Sequence, residues 1–180
     1  AGHLPSVRLS ATLLAGAGDY EEAAAALEVW LERTADEPLH SSSERADALL
    51  DLAAVRVLLD DSGEALELLE ALDPRALRDP VRAESVRAAA LAAQDEPAEA
   101  LEAVRRAAEL RPDALLPVVQ EALLHQRERR TAEERAAWLR LLELTAEHAG
   151  ELDPAAIDFE AALFRLQAHA RLQRLADAQP

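Results

Sequence analysis

The chain has 180 residues, of which 75 are alanine or leucine, with no Lys, Asn, Cys or Met and a single isoleucine, Ile157. So few β-branched and aromatic residues leave little material for strands, and the absence of cysteine excludes disulfides, thiolate metal sites and a cysteine nucleophile. The formal charge is −16, with 18 acids against 8 arginines in residues 1–90 and 17 against 11 in residues 91–180; such a surface disfavours nucleic acid and favours a basic partner or plain solubility.

Helical periodicity runs nearly the whole length. Residues 6–16 are predicted as a first apolar helix carrying Val7, Leu9, Leu13 and Leu14. Gly16 and Gly18 end it, and Asp19 is placed as N-cap of a helix over 20–34 with the stripe Ala23, Leu27, Trp30 and Leu31. Ser41 and Glu44 have capping-box spacing before a helix over 42–60. Its stripe is Leu49, Leu52, Ala53 and Val57, with Leu50, Ala54 and Leu58 on the adjacent face. Ser62-Gly63 turns the chain into a helix over 64–72. Asp73-Pro74 opens a single turn and Asp79-Pro80 a helix reaching Gln94. Pro97 opens another to Leu110, and Pro112 one to Arg130. Thr131 and Glu134 form a second capping-box pattern, for a helix to His148. Asp153-Pro154 opens the last, spanning 154–176.

Some of this repeats. Gly18-Asp19-Tyr20-Glu21-Glu22-Ala23 returns in weaker form as Asp61-Ser62-Gly63-Glu64-Ala65-Leu66 and as Asp95-Glu96-Pro97-Ala98-Glu99-Ala100-Leu101. The anchors Ala23, Ala65 and Ala100 are 42 and 35 residues apart, a period that means stacked helix pairs, each with an apolar stripe it cannot bury alone. Ala23, Leu27, Ala65, Leu69, Ala100, Val104 and Ala107 are expected to be buried. One all-α domain over 1–180 is expected, with units at 6–37, 42–73, 80–112 and 113–148 and a terminal helix. The chain begins Ala1-Gly2-His3 and is expected to be a piece of a longer protein.

On these residues the chain resembles the tetratricopeptide repeat family. Residues 18–23 follow its Gly-Asp-Tyr-x-Glu-Ala signature, and Ala107-Ala108-Glu109-Leu110-Arg111-Pro112 follows its Ala-Leu-x-Leu-x-Pro ending. Trp30 departs from the small residue usual at the position of Ala107. The resemblance implies a right-handed superhelical array of about four helix pairs whose first helices line a concave groove for a peptide or partner helix. Carried over by phase, the groove positions are Arg8 and Thr12; Asp47, Leu50, Asp51, Ala54 and Leu58; Arg82, Ser85 and Ala89; and Val119, Leu123 and Gln126. The family's Lys and Asn clamp for a terminal carboxylate is ruled out, since both residues are absent.

No catalytic pattern emerges. The histidines at 3, 40, 125, 148 and 169 form no metal-binding spacing, with His125 and His148 the one pair placed to meet across a hairpin. The acid pairs Glu21-Glu22, Asp60-Asp61 and Glu133-Glu134 read as solvated caps and turns, and Gly16-Ala17-Gly18 lacks what a phosphate loop needs. No cofactor or metal is expected. No apolar run nears the roughly 20 residues that span a bilayer.

The reading is a non-catalytic interaction scaffold or adaptor with a protein or peptide partner. It is of bacterial type, from its arginine- and alanine-rich composition, and cytoplasmic, or periplasmic if an upstream segment has been removed. Alternatives are a regulatory segment of a larger signalling protein or transcription regulator, or a spacer of an envelope secretion or assembly apparatus. On the terminal helix, Ile157, Ala161, Phe164, Ala168, Leu172 and Leu175 form a packing stripe. Phe159, Leu163, Leu166 and Ala170 form a second stripe, either buried within the chain or an interface with a second copy or a neighbouring helix.

Overall fold

The computed structural model describes residues 4–35, 42–149 and 159–178, with side chains described over 7–35, 42–146 and 162–178. Among them are nine helices and no strand. They are α1 Leu4–Ala17, α2 Tyr20–Arg33, α3 Ser42–Leu58, α4 Ser62–Glu70, α5 Pro80–Ala93, α6 Pro97–Leu110, α7 Leu115–Arg127, α8 Thr131–Ala149 and α9 Phe159–Asp177. Helices α1 and α2, α3 and α4, and α7 and α8 pack as consecutive pairs. No described helix is long and apolar enough to cross a membrane.

The starts and stops follow local chemistry. The Asp79 carboxylate accepts the Arg82 N–H at 3.2 Å ahead of Pro80, an N-cap with proline at the first helical position. The Asp73 carboxylate accepts the Arg75 N–H at 2.9 Å in the single turn before it. Asp19 occupies the N-cap of α2 without a side-chain cap bond, so its contribution there is charge at the helix N-terminus alone. Helix α7 begins three residues after Pro112, because the chain first closes a turn through the Ala114 N–H to Arg111 O bond. Ser41, His3, His40, Ile157 and the residues around Asp153-Pro154 lie outside the described residues, as does the His148 side chain.

The repeat is sharpest in the turns inside each pair. Gly18, Asp60, Asp95 and Arg129 all have positive φ, at 91°, 60°, 65° and 57°. Each lies just past its first helix, and the next residue's N–H reaches back five positions: Asp19 to Leu14 O, Asp61 to Arg56 O, Glu96 to Leu91 O and Arg130 to His125 O, at 2.9–3.0 Å. This is the Schellman closure, which satisfies carbonyls the helix end would leave bare. Five residues beyond each positive-φ residue stand Ala23, Ala65, Ala100 and Glu134, and all four are 0 % exposed. Four residues further on come Leu27, Leu69, Val104 and Trp138, again buried. Every residue expected to be buried between repeats is so, including Ala107.

The fourth anchor is the departure. Glu134 occupies the position where the other units have alanine, and it is neither solvated nor a helix cap. Its carboxylate accepts Arg171 Nε at 2.5 Å and Nη2 at 3.3 Å, and the Trp138 indole N–H at 3.3 Å. Arg171 belongs to α9, so the ion pair binds α9 to the fourth pair. The same hydrogen bonding raises the Arg171 pKa above its ordinary value, against partial burial, and the guanidinium stays charged at every accessible pH.

The helices group into two compact units, Ala1–Glu96 with α1–α5 and Pro97–Pro180 with α6–α9. In the first, one core joins α1, α2 and α3 around Ala11, Ala23, Leu27 and Leu52, and another joins α3, α4 and α5 around Leu50, Ala53, Ala65 and Leu69. On α1 the buried residue is Ala11; Leu9 and Leu13 face solvent at 62 % and 66 % exposure. In the second unit, Val118, Val119, Ala122, Ala137, Trp138, Leu141 and Ala168 form the core, flanked by Phe164 and Leu172.

Candidate functional site

Helix α3 is buried almost all round, since α2, α4 and α5 all pack on it. Buried residues along it include Ala46, Leu50, Leu52, Ala53 and Val55. Its accessible residues include the line Asp47, Asp51, Ala54 and Leu58, spaced by three or four residues and therefore on one face of the helix.

Across that face the first helices of successive pairs are joined by charge. Arg8 on α1 donates to Asp51 Oδ2 from Nε at 3.2 Å and from Nη2 at 3.1 Å, and lies 3.9 Å from Asp47. Arg82 on α5 donates to the other Asp51 oxygen at 2.7 Å. Arg78, in the bend before α5, lies 3.4 Å from Asp47 Oδ2. Two carboxylates, 14 % and 20 % exposed at their side chains, thus bind three guanidinium groups from three elements, and the cluster carries one positive charge in excess. Thr12 sits one turn beyond Arg8, exposed, with its hydroxyl donating to the Arg8 carbonyl.

No protein-family model matches the chain, and no curated protein is similar to it. Among solved structures it is similar to the nearly identical TPR-like repeats of a putative kinesin light chain from Podosopora anserina, with a TM-score of 0.64 at 21 % identity over 97 % of this chain and 93 % of that one. The fold is a tetratricopeptide-like repeat.

In that fold α1, α3, α5 and α7 are the first helices of the pairs, and the predicted groove residues divide among them unevenly. Arg8, Asp47, Asp51 and Arg82 meet in one cluster, although they come from three units of sequence. Ala54 on α3 and Ala89 on α5 are half-buried, and Leu58, 56 % exposed, ends the α3 line. Leu50 is a correction. At 2 % exposure it belongs to the α3–α4–α5 core, off the accessible line. Ser85 is likewise buried at 2 %, on the inner side of α5. Val119 is taken into the core of the second unit because α7 packs on both α6 and α8, which leaves only a narrow exposed strip. Leu123, 42 % exposed, and Gln126 lie on that strip. Arg78 escaped the sequence reading, since it sits on no helix stripe.

On α9, Leu163 and Leu166 are exposed at 52 % and 68 %, so burial within the chain does not account for the second stripe. The Phe159 side chain lies outside the described residues. The first stripe packs as expected through Phe164, Ala168 and Leu172.

A second charge cluster ties α3 to α2 and α4: Arg56 contacts Glu28, Asp61 at 3.7 Å and Glu64 at 3.3 Å. Desolvation raises the Glu64 pKa most, followed by its hydrogen bond with Asp61 and repulsion from Asp61 and Glu28, and the attraction of Arg56 does not offset them. No group of three metal-ligating side chains occurs among the described residues.

Proposed function

We propose that the chain is a non-catalytic scaffold that docks a peptide or helix of a protein partner on the face formed by α1, α3 and α5. The observation that carries this reading is the arginine–aspartate cluster of Arg8, Asp47, Asp51, Arg78 and Arg82. Ion pairs this close to solvent stabilise by up to about 1 kcal/mol each. A partner can therefore exchange into them at little cost. The side chains 43 % and 60 % exposed, those of Arg82 and Arg78, offer bidentate donors to a partner carboxylate while the aspartates keep the arginines extended. Leu58 and the half-buried Ala54 and Ala89 add a short apolar strip along which a partner backbone can lie.

The test begins with peptides selected on the whole chain from a random library. Their affinity is then compared between the parent and an Arg78→Glu, Arg82→Glu variant. Both side chains are exposed, and unchanged circular dichroism of the variant verifies that its fold is intact. A loss of about tenfold or more, shrinking as salt is raised, supports the docking face. Selected ligands that bind the variant as tightly as the parent refute it.

A further inference from the structure

The fourth pair breaks the charge pattern of the other three at its turn. The positive-φ residue and the residue after it are Gly18-Asp19, Asp60-Asp61 and Asp95-Glu96 in the first three pairs, and Arg129-Arg130 in the fourth. An acid directly before a helix complements the positive N-terminal end of its dipole, and a cation there opposes it. Arg130 immediately precedes α8. Arg129 also adopts the left-handed conformation, which costs a branched or bulky residue more than it costs glycine or aspartate. In a chain of charge −16 the position is disfavoured twice over for the fold itself.

Arg130 borders a cavity of about 120 Å³ lined by residues of α6, α7 and α8 and open to solvent. Its other polar lining residues are Arg105, Arg140, His125 and Glu121. Glu121, the one carboxylate in the lining, is 3.7 Å from Arg140 Nη1 and 4.0 Å from His125 Nε2, so its charge is already answered. Arg105 reaches Glu102 outside the cavity at 2.7 Å. Arg130 carries no side-chain ion pair among the described residues. His125 is 9 % exposed, and its Nδ1 is buried without a hydrogen-bond partner in the protein. Three guanidinium groups and the His125 imidazole thus line a space the size of one small polyatomic group.

We propose that this cavity binds a phosphate group. A phosphate dianion presents several acceptor oxygens, which matches guanidinium forks arriving from α6, from α8 and from the turn before α8. It also answers the cation placed against the α8 dipole. The volume matches a single phosphoryl group. The site lies wholly in the second unit and is independent of the docking face on α1, α3 and α5.

The experiment titrates inorganic phosphate into the whole chain at fixed ionic strength, following the arginine Nε–H and histidine ring signals by NMR. Saturable shifts of Arg105, Arg130, Arg140 and His125 are expected, with millimolar affinity, which an Arg105→Gln, Arg130→Gln variant weakens about tenfold or more. Both replaced side chains are exposed, and unchanged circular dichroism of the variant verifies that its fold is intact. A phosphoserine peptide separates the two sources of the group. Tighter binding than inorganic phosphate through the same residues assigns the site to a phosphorylated partner, and equal or weaker binding assigns it to free phosphate. Shifts that never saturate, or that persist unchanged in the variant, overturn the proposal.

Discussion

Glu134 and Arg171 offer the sharpest test of how this fold is held together. The carboxylate is fully buried, at the position where three other pairs keep alanine, and α9 supplies its only cationic partner among the described residues. Replacing Arg171 by alanine leaves a buried charge with the Trp138 indole N–H as its remaining side-chain donor. Breaking a buried pair from one side costs about 3–5 kcal/mol. The Arg171 side chain is 27 % exposed, so water reaches the vacated site in part and the lower end, about 3 kcal/mol, is expected. Glu134→Gln removes the charge, keeps the volume and still offers an oxygen to Trp138, so it is expected to cost less. Combined with Glu134→Gln, the Arg171→Ala change then costs only the loss of its own contacts.

The two tryptophans make the assay direct, because Trp30 lies in the first unit and Trp138 in the second. In a Trp30→Phe background, urea unfolding followed by fluorescence reports the unit that contains the ion pair, without assuming that both units melt together. A double-mutant cycle then isolates the coupling between positions 134 and 171. Destabilisation by Arg171→Ala of less than about 1 kcal/mol, or the same cost with and without Glu134→Gln, would refute the view that α9 is fastened by a buried charge.

Three further outcomes are expected. Ala100→Leu should overpack the contact in which the parent alanine is 0 % exposed and cost about 1–3 kcal/mol by denaturant unfolding. Glu64, whose folded pKa lies above its ordinary value of 4.5, binds more protons folded than unfolded between those two values, so the folded state loses stability as pH rises through that window. Glu64→Gln should therefore be more stable than the parent at neutral pH, with the difference closing as pH falls below 4.5; an unchanged difference across that range would contradict the assignment. If the exposed Leu163 and Leu166 mediate pairing with a second copy, light scattering should show a dimer that Leu163→Glu, Leu166→Glu converts to a stable monomer, and a parent that is already monomeric would exclude that pairing.

The helix pairs were legible because their signal is local and repeated. Glycine or acid at the turn, alanine five residues later and a large apolar residue four beyond that recur at Ala23, Ala65 and Ala100, and the structure buries all three. The fourth recurrence was hidden by its own chemistry. Thr131 followed by Glu134 is the spacing of a capping box, and a glutamate at the start of a helix ordinarily reads as solvated. The information that overrides this was nonetheless present, since Glu134 stands 34 residues after Ala100 and Trp138 the same distance after Val104. Phase outranks local propensity wherever a repeat has been established, because stacking, not capping, decides what that position meets.

The docking face shows the opposite limit. Family phase located Arg8, Asp47, Asp51 and Arg82 on first helices, but phase carries no information about how many neighbours a helix has. Helix α3 has three, which draws Leu50 into a core, and α7 has two close ones, which does the same to Val119. The accessible positions that remain on α3 include Asp47, Asp51, Ala54 and Leu58. This burial is why Leu50 and Val119 are structural positions, whereas Leu123 stays exposed. It also means Leu50→Ala would probe folding and not binding, so any affinity it lost would be uninterpretable. The residues that can be changed to test binding without disturbing the core are Arg78 and Arg82, and of these only Arg82 could be found by helical spacing. Arg78 reaches Asp47 from a bend, and its place is set by the single turn at Asp73-Pro74 and the proline start at Asp79-Pro80, two short-range signals whose combined geometry no periodicity encodes.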